Sequence, residues 1–194
     1  MSDPSECDPR CDTLVLCLSH KKRMRVNKRQ NELLRPPNAV HCEWEGEDLH
    51  GTTMQPQSMY LWVGLELIGC PRGSGKRLTV QGVVYVVTAI VDGVLELQMR
   101  PEYCHGAADE RISMQLKDAC EQLRLCHAMC YYTCQGRTVR DRHIVLLDTS
   151  HPHFSVRALI VGLSRATHGR WLHVDDDEAE ALFGGDRVIR RRRG

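Results

Sequence analysis

The residues best suited to chemistry fall in three segments. Leu163-Ser164-Arg165-Ala166 places an arginine behind an apolar run, and a planar guanidinium binds phosphate oxygens through a fixed fork of donors. Upstream, Tyr131-Tyr132-Thr133-Cys134-Gln135-Gly136-Arg137-Thr138 combines aromatic, hydroxyl and amide groups around a glycine. Gly136 permits close backbone approach, and Tyr132 and Thr133 bring an aromatic face and a hydroxyl to the same segment. Near the start, Ser19-His20 precedes Lys21, Lys22, Arg23, Arg25, Lys28 and Arg29, a basic run suited to sequence-blind, salt-sensitive phosphate contacts.

Other candidates carry less. Gly73-Ser74-Gly75-Lys76 resembles a phosphate loop, but Cys70 stands where its first glycine belongs and Arg77 where its magnesium-binding hydroxyl belongs. A Gly-rich hairpin loop fits better. His151-Pro152-His153 reads as solvated histidines flanking a proline. Cys126, Cys130 and Cys134 recur every fourth residue, the spacing of one helix face, and the paired Cys-x-x-Cys segments of structural zinc sites are missing. No metal site is expected.

The elements that must position these groups follow from hydrophobic patterning. The chain has 194 residues and is 42% hydrophobic, enough for one α/β domain with a small insert. A formal net charge of +1 makes no case for nucleic acid, whereas the clustering of the basic residues does. The opening MSDPSECDPR carries no apolar h-region and no apolar stretch reaches membrane-spanning length, so the expectation is a cytoplasmic or nuclear protein whose 10 cysteines are thiols, with no membrane partner. Leu14 to Leu18 predicts a strand buried on both faces, followed by Ser19 as a helix N-cap and a helix to Leu34 with Met24, Val26, Leu33 and Leu34 as its apolar positions. Met59 to Ile68, Arg77 to Val91 and Gly93 to Met99 read as short strands, with a tight turn at Asp92-Gly93. Ala108 to Met129 reads as a helix, His143 to Leu147 as a second buried strand, Val156 to Arg165 as a helix and Trp171 to Val174 as a last strand. The divisions are a disordered N-terminus (1–12), an α/β domain (13–54 and 102–176), a β-rich insert (55–101) and a charged tail (177–194).

In that order, the three segments resemble motifs of the RecD-type superfamily-1 DNA helicases. Leu163-Ser164-Arg165-Ala166 matches the end of the sixth motif, Tyr-Val-Ala-Leu-Ser-Arg-Ala, with Gly162 replacing its usual Ala. Gln135, Gly136 and Thr138 match the fifth, Ile-His-Lys-Ser-Gln-Gly-x-Thr, while Tyr132, Thr133 and Cys134 replace its His, Lys and Ser. The strand ending at Ser19-His20 and the helix containing Val26-Asn27 resemble the fourth. Val63-Gly64-Leu65-Glu66-Leu67-Ile68 and Val80 to Val87 are similar to the family's Src-homology-3-like barrel.

The resemblance implies the second RecA-like domain of such a helicase: a parallel sheet with helices on both faces, interrupted by a small antiparallel barrel. It implies that Arg165 is an arginine finger and that Gln135, Gly136 and Arg165 meet ATP. Ser19, His20, Lys21, Lys22, Arg23, Asn27, Tyr132, Thr133, Cys134 and Thr138 would face single-stranded DNA. No Walker A or B motif is present, so ATP and Mg²⁺ are expected only together with a first RecA-like domain, upstream in the same product or on a separate chain. The chain then reads as a fragment, a split gene product or a remnant. The alternative is a nucleic-acid-binding or adaptor module without catalysis.

Overall fold

The computed structural model describes residues 13–44, 46, 56–71, 77–101, 111–135, 139 and 142–174. The segments expected as the disordered N-terminus and the charged tail lie outside them, as does Gly73-Ser74-Gly75-Lys76. The chain divides into two compact units, one of residues 1–30 and 127–194, the other of residues 31–126.

The first unit is built on a four-stranded parallel sheet. β1 (Thr13–Cys17) is buried along its whole length and pairs with β9 (Ala128–Cys130) on one side and β10 (His143–Leu146) on the other. β11 (Leu172–Val174) extends the sheet beyond β10, all in parallel, in the order β11-β10-β1-β9. The strands read at Leu14 to Leu18, His143 to Leu147 and Trp171 to Val174 are thus β1, β10 and β11. Leu147 continues the pairing by donating its backbone N–H to Leu16 at 2.9 Å. Val15, Val26, Ala128, Val145 and Leu147 form a cluster between sheet and helix.

That helix, α1 (His20–Leu34), starts where expected: the Ser19 hydroxyl accepts the Lys22 backbone N–H at 3.1 Å, an N-cap. Its buried side differs from the expected one. Leu33 is 53% exposed, whereas Val26, Asn27, Gln30 and Asn31 are buried. The buried asparagines are spent on backbone groups. Asn27 accepts the Ala128 N–H at 2.7 Å and donates to the Ala128 carbonyl at 3.1 Å; Asn31 does the same for Tyr60. A buried amide that satisfies two backbone groups costs little to bury, so a polar stripe can face inward here.

The second unit is antiparallel. β2 (Val40–Cys42) pairs with β3 (Met59–Leu61). β4 (Glu66–Gly69), β5 (Val84–Val91), β6 (Val94–Met99), β7 (Arg111–Gln115) and β8 (Leu123–Leu125) form a sheet in the order β7-β6-β5-β4-β8. The Asp92-Gly93 turn is as read: both residues have positive φ, 51° and 75°, the backbone a two-residue hairpin requires. Tyr85, Leu67, Leu95, Leu97 and Leu123 lie at the centre of the core. Arg77 to Val83, expected in a strand, lies before β5 instead.

The helix expected over Ala108–Met129 is not formed. β7, a short 3-10 turn, α2 (Ala119–Gln122), β8 and β9 occupy its described part. Ile112, Leu116, Ala119 and Leu123 fit helical spacing, but pairing of β7 with β6 and of β8 with β4 satisfies the backbone groups of these segments along a sheet. Cys126, Cys130 and Cys134 therefore share no helix face; each is a buried free thiol. Among the described residues no group of three or more His, Cys, Asp or Glu could hold a metal ion, and no helix is long and apolar enough to cross a membrane.

Candidate nucleic-acid and nucleotide face

In a parallel sheet the carboxyl ends of the strands are where ligands bind, because the chain leaves the sheet there in turns that expose backbone and side-chain donors. The predicted residues of the first unit gather at that end. Ser19 to Arg23 follow β1, Tyr131 to Gln135 follow β9, and Asp148 follows β10.

After β1, the chain turns into α1. Ser19 is occupied in capping that helix. His20 packs edge-on against Tyr132, with ring centroids 5.4 Å apart, and hydrogen-bonds to its phenol. Burial lowers the His20 pKa below the ordinary histidine value, and the neighbouring Arg23 charge lowers it further, which favours a neutral imidazole. Lys21 is exposed, and Arg25 and Lys28 follow it at i+4 and i+7 on the same exposed ridge. Lys22 differs from them: its ammonium lies 2.6 Å from Asp148 Oδ1.

After β9, residues Tyr131–Cys134 form a single 3-10 turn. Tyr131 is buried and donates its hydroxyl to the Leu147 carbonyl at 2.7 Å, whereas Tyr132 is 55% exposed. Thr133 donates to the Cys130 carbonyl at 2.8 Å. Cys134 is fully buried, and Gln135 is exposed. Gly136 and Thr138 lie outside the described residues. Beneath the turn Cys17 and Cys130 are register partners on adjacent strands. A hydrogen bond to Cys130 and burial both push the Cys17 thiol up, so it holds its proton.

α3 (Val156–Leu163) begins at Ser155, whose hydroxyl accepts the Ala158 N–H at 3.2 Å. Arg165 stands just past its other end. The guanidinium folds against that end, Nε donating to the Val161 carbonyl at 3.2 Å and Nη2 to the Ser164 hydroxyl at 2.9 Å. The two later segments meet here: Val139 donates its N–H to the Arg165 carbonyl at 3.0 Å, and Val139 bridges Ala166.

Gly162 explains the close fit of α3. A Cβ there would stand 2.7 Å from Leu146 Cδ2 and 3.3 Å from Tyr131 Cε1, and Leu146 is fully buried. Gly162→Val is expected to lower stability by about 2 kcal/mol through overpacking, seen as a lower urea midpoint. An unchanged midpoint would mean that α3 can ride away from the sheet at no cost.

Asp148 was not singled out from the sequence, though a carboxylate directly after a buried strand is a legible signal. Its backbone is left-handed, φ 65°, a region in which Asp and Asn are enriched. Oδ2 accepts the Leu18 N–H at 2.9 Å while Oδ1 holds Lys22. Asn27 is the opposite case: predicted to face a strand, it is 2% exposed with its amide committed to Ala128.

No family model and no curated protein sequence matches the chain. Solved structures do. The chain is similar to the Pif1 helicase from Candida albicans, at 15% identity over 93% of this chain and 49% of that one, with a TM-score of 0.53. It is also similar to Bacteroides Pif1 bound to ssDNA, at 18% identity over 84% of this chain and 40% of that one, TM-score 0.54. A structure of two coordinating Pif1 helicases at forked dsDNA gives 16% identity, 89% and 41% coverage and a TM-score of 0.53. The chain thus spans half or less of the length of the proteins it resembles. It shares the fold of part of the Pif1 helicases, an α/β arrangement with a four-stranded parallel sheet and a separate five-stranded antiparallel sheet.

Proposed function

We propose that this chain is the second RecA-like motor domain of an ATP-dependent DNA helicase of the RecD and Pif1 type. In this reading the parallel-sheet unit is the RecA-like part, with helices on both faces, and the antiparallel unit is the Src-homology-3-like barrel. The carrying observation is that the His20–Tyr132 turn pair and the Arg165-bearing end of α3 are assembled on one parallel sheet. Exposed Tyr132 offers a stacking face to bases and the Lys21, Arg25 and Lys28 ridge meets phosphates. Arg165, with Gln135 and Gly136, serves a nucleotide whose phosphates and Mg²⁺ are held by a first RecA-like domain. Solved relatives described as bound to ssDNA, and to ADP-AlF3 with ssDNA, support both halves of the reading.

Fluorescence anisotropy with a single-stranded oligonucleotide tests the strand half. Wild type is expected to bind weakly and to lose affinity as salt rises. Lys21→Glu, Arg25→Glu and Lys28→Glu combined should weaken binding roughly tenfold or more at low salt. Equal affinity of the two proteins would make the ridge an ordinary solvated helix face and remove the strand-binding reading.

A further inference from the structure

Lys22 belongs to the basic run, yet it does not stand with the exposed ridge. Its side chain is 14% exposed and its Nζ lies 2.6 Å from Asp148 Oδ1, itself on a side chain 13% exposed. The other carboxylate oxygen accepts the Leu18 N–H at 2.9 Å, at the turn leading into α1. α1 has no acidic residue in its own first turn, although the start of a helix favours negative charge. One carboxylate that takes a backbone N–H and an ammonium at a helix start occupies the arrangement a phosphate would receive there. The left-handed backbone at Asp148, stable for Asp or Asn and strained for most other residues, sets the carboxylate in this place.

We infer that Asp148 is an internal counter-anion that holds the Lys22 ammonium in place of a strand phosphate, and so sets the strength and salt dependence of single-strand binding. The inference rests on the proposed strand-binding reading and deepens it. Each cation that neutralises a phosphate of a single strand contributes about 0.7 to the slope of log affinity against log salt. Lys22, already neutralised by Asp148, contributes nothing to that slope; exposed Lys21 contributes its share.

The test is the salt slope for a single-stranded oligonucleotide, measured with the full chain. Lys21→Gln should flatten the slope by about 0.7, while Lys22→Gln should leave it at the wild-type value. Asp148→Asn keeps an acceptor for Leu18 and suits the left-handed backbone, but releases Lys22. It should tighten binding severalfold at low salt and steepen the slope by about 0.7. Adding Lys22→Gln to Asp148→Asn should restore the wild-type slope. If Lys22→Gln flattens the slope as much as Lys21→Gln does, Lys22 already contacts the strand and the inference is overturned; that arm decides even if Asp148→Asn does not fold. An Asp148→Asn slope equal to wild type in a folded protein overturns it as well. Failure of the wild type to bind at all removes the strand-binding reading itself, and this inference with it.

Discussion

Joined to a first RecA-like domain, the Arg165→Ala protein is expected to lose about 10³-fold or more in ATP turnover. That loss corresponds to about 4 kcal/mol of transition-state stabilisation. The expectation follows from position and from chemistry. Arg165 stands at the end of an eight-residue helix whose packing onto the sheet is fixed by Gly162, and its own helix end steers the guanidinium through Val161 and Ser164. A guanidinium supplied to a transferring phosphoryl group acts on charge that develops in the transition state, so turnover should fall far more than nucleotide affinity. The control is Arg170→Ala. Arg170 lies over the Trp171 ring, 5.2 Å from its centroid, outside the motif, and its loss should leave turnover within a few-fold of wild type, on the order of 1 kcal/mol or less. The chain without a first domain should show no ATPase activity. Turnover by the joined Arg165→Ala protein within tenfold of wild type, about 1.4 kcal/mol, would place the alternative first: a nucleic-acid-binding module without catalysis.

Asn27→Ala is expected to destabilise the protein by about 3 kcal/mol without any direct effect on strand contacts. Its amide satisfies both backbone groups of Ala128, the first residue of β9, and nearly all of it is buried. Removing the side chain leaves a buried N–H and a buried carbonyl without these partners, each at a cost of roughly 1–3 kcal/mol. Urea unfolding should show a lower midpoint at an unchanged m value. Strand affinity, measured well below the new midpoint, should stay within about twofold, or 0.4 kcal/mol. The reverse pattern, intact stability with weakened binding, would return Asn27 to the strand-facing role that the motif resemblance implies.

These residues show what patterning can and cannot reveal. β1 and β10 were legible because continuous apolar runs have few uses besides a strand covered on both faces. The Asp92-Gly93 hairpin was legible because few residue pairs tolerate two positive φ angles in succession. The expected helix over Ala108–Met129 failed where apolar spacing fitted both periods, and the choice fell to strand partners far away in sequence. The inward face of α1 was hidden for a different reason. Asn27 and Asn31 read as polar surface until their backbone partners, Ala128 and Tyr60, are known. For the candidate site, the sequence pointed to the turns after β1 and β9 and the end of α3, because each carries a short motif. It could not show that Lys22 would be claimed by Asp148, since that pair depends on two strand ends lying side by side.

The central strand of the parallel sheet also orders events in time. β1 is the first strand among the described residues, yet its neighbours are β9 and β10, and Leu18 must wait for an acceptor 130 positions later. Closing so long a loop before any of these contacts forms is entropically costly, and high sequence separation between partners slows folding. The antiparallel unit lies wholly between β1 and β9 in the chain, and its β5–β6 hairpin closes through a two-residue turn. During synthesis it can be complete while β1 still lacks both partners. An apolar strand is thus left waiting through that interval, which is when such a chain is most exposed to aggregation.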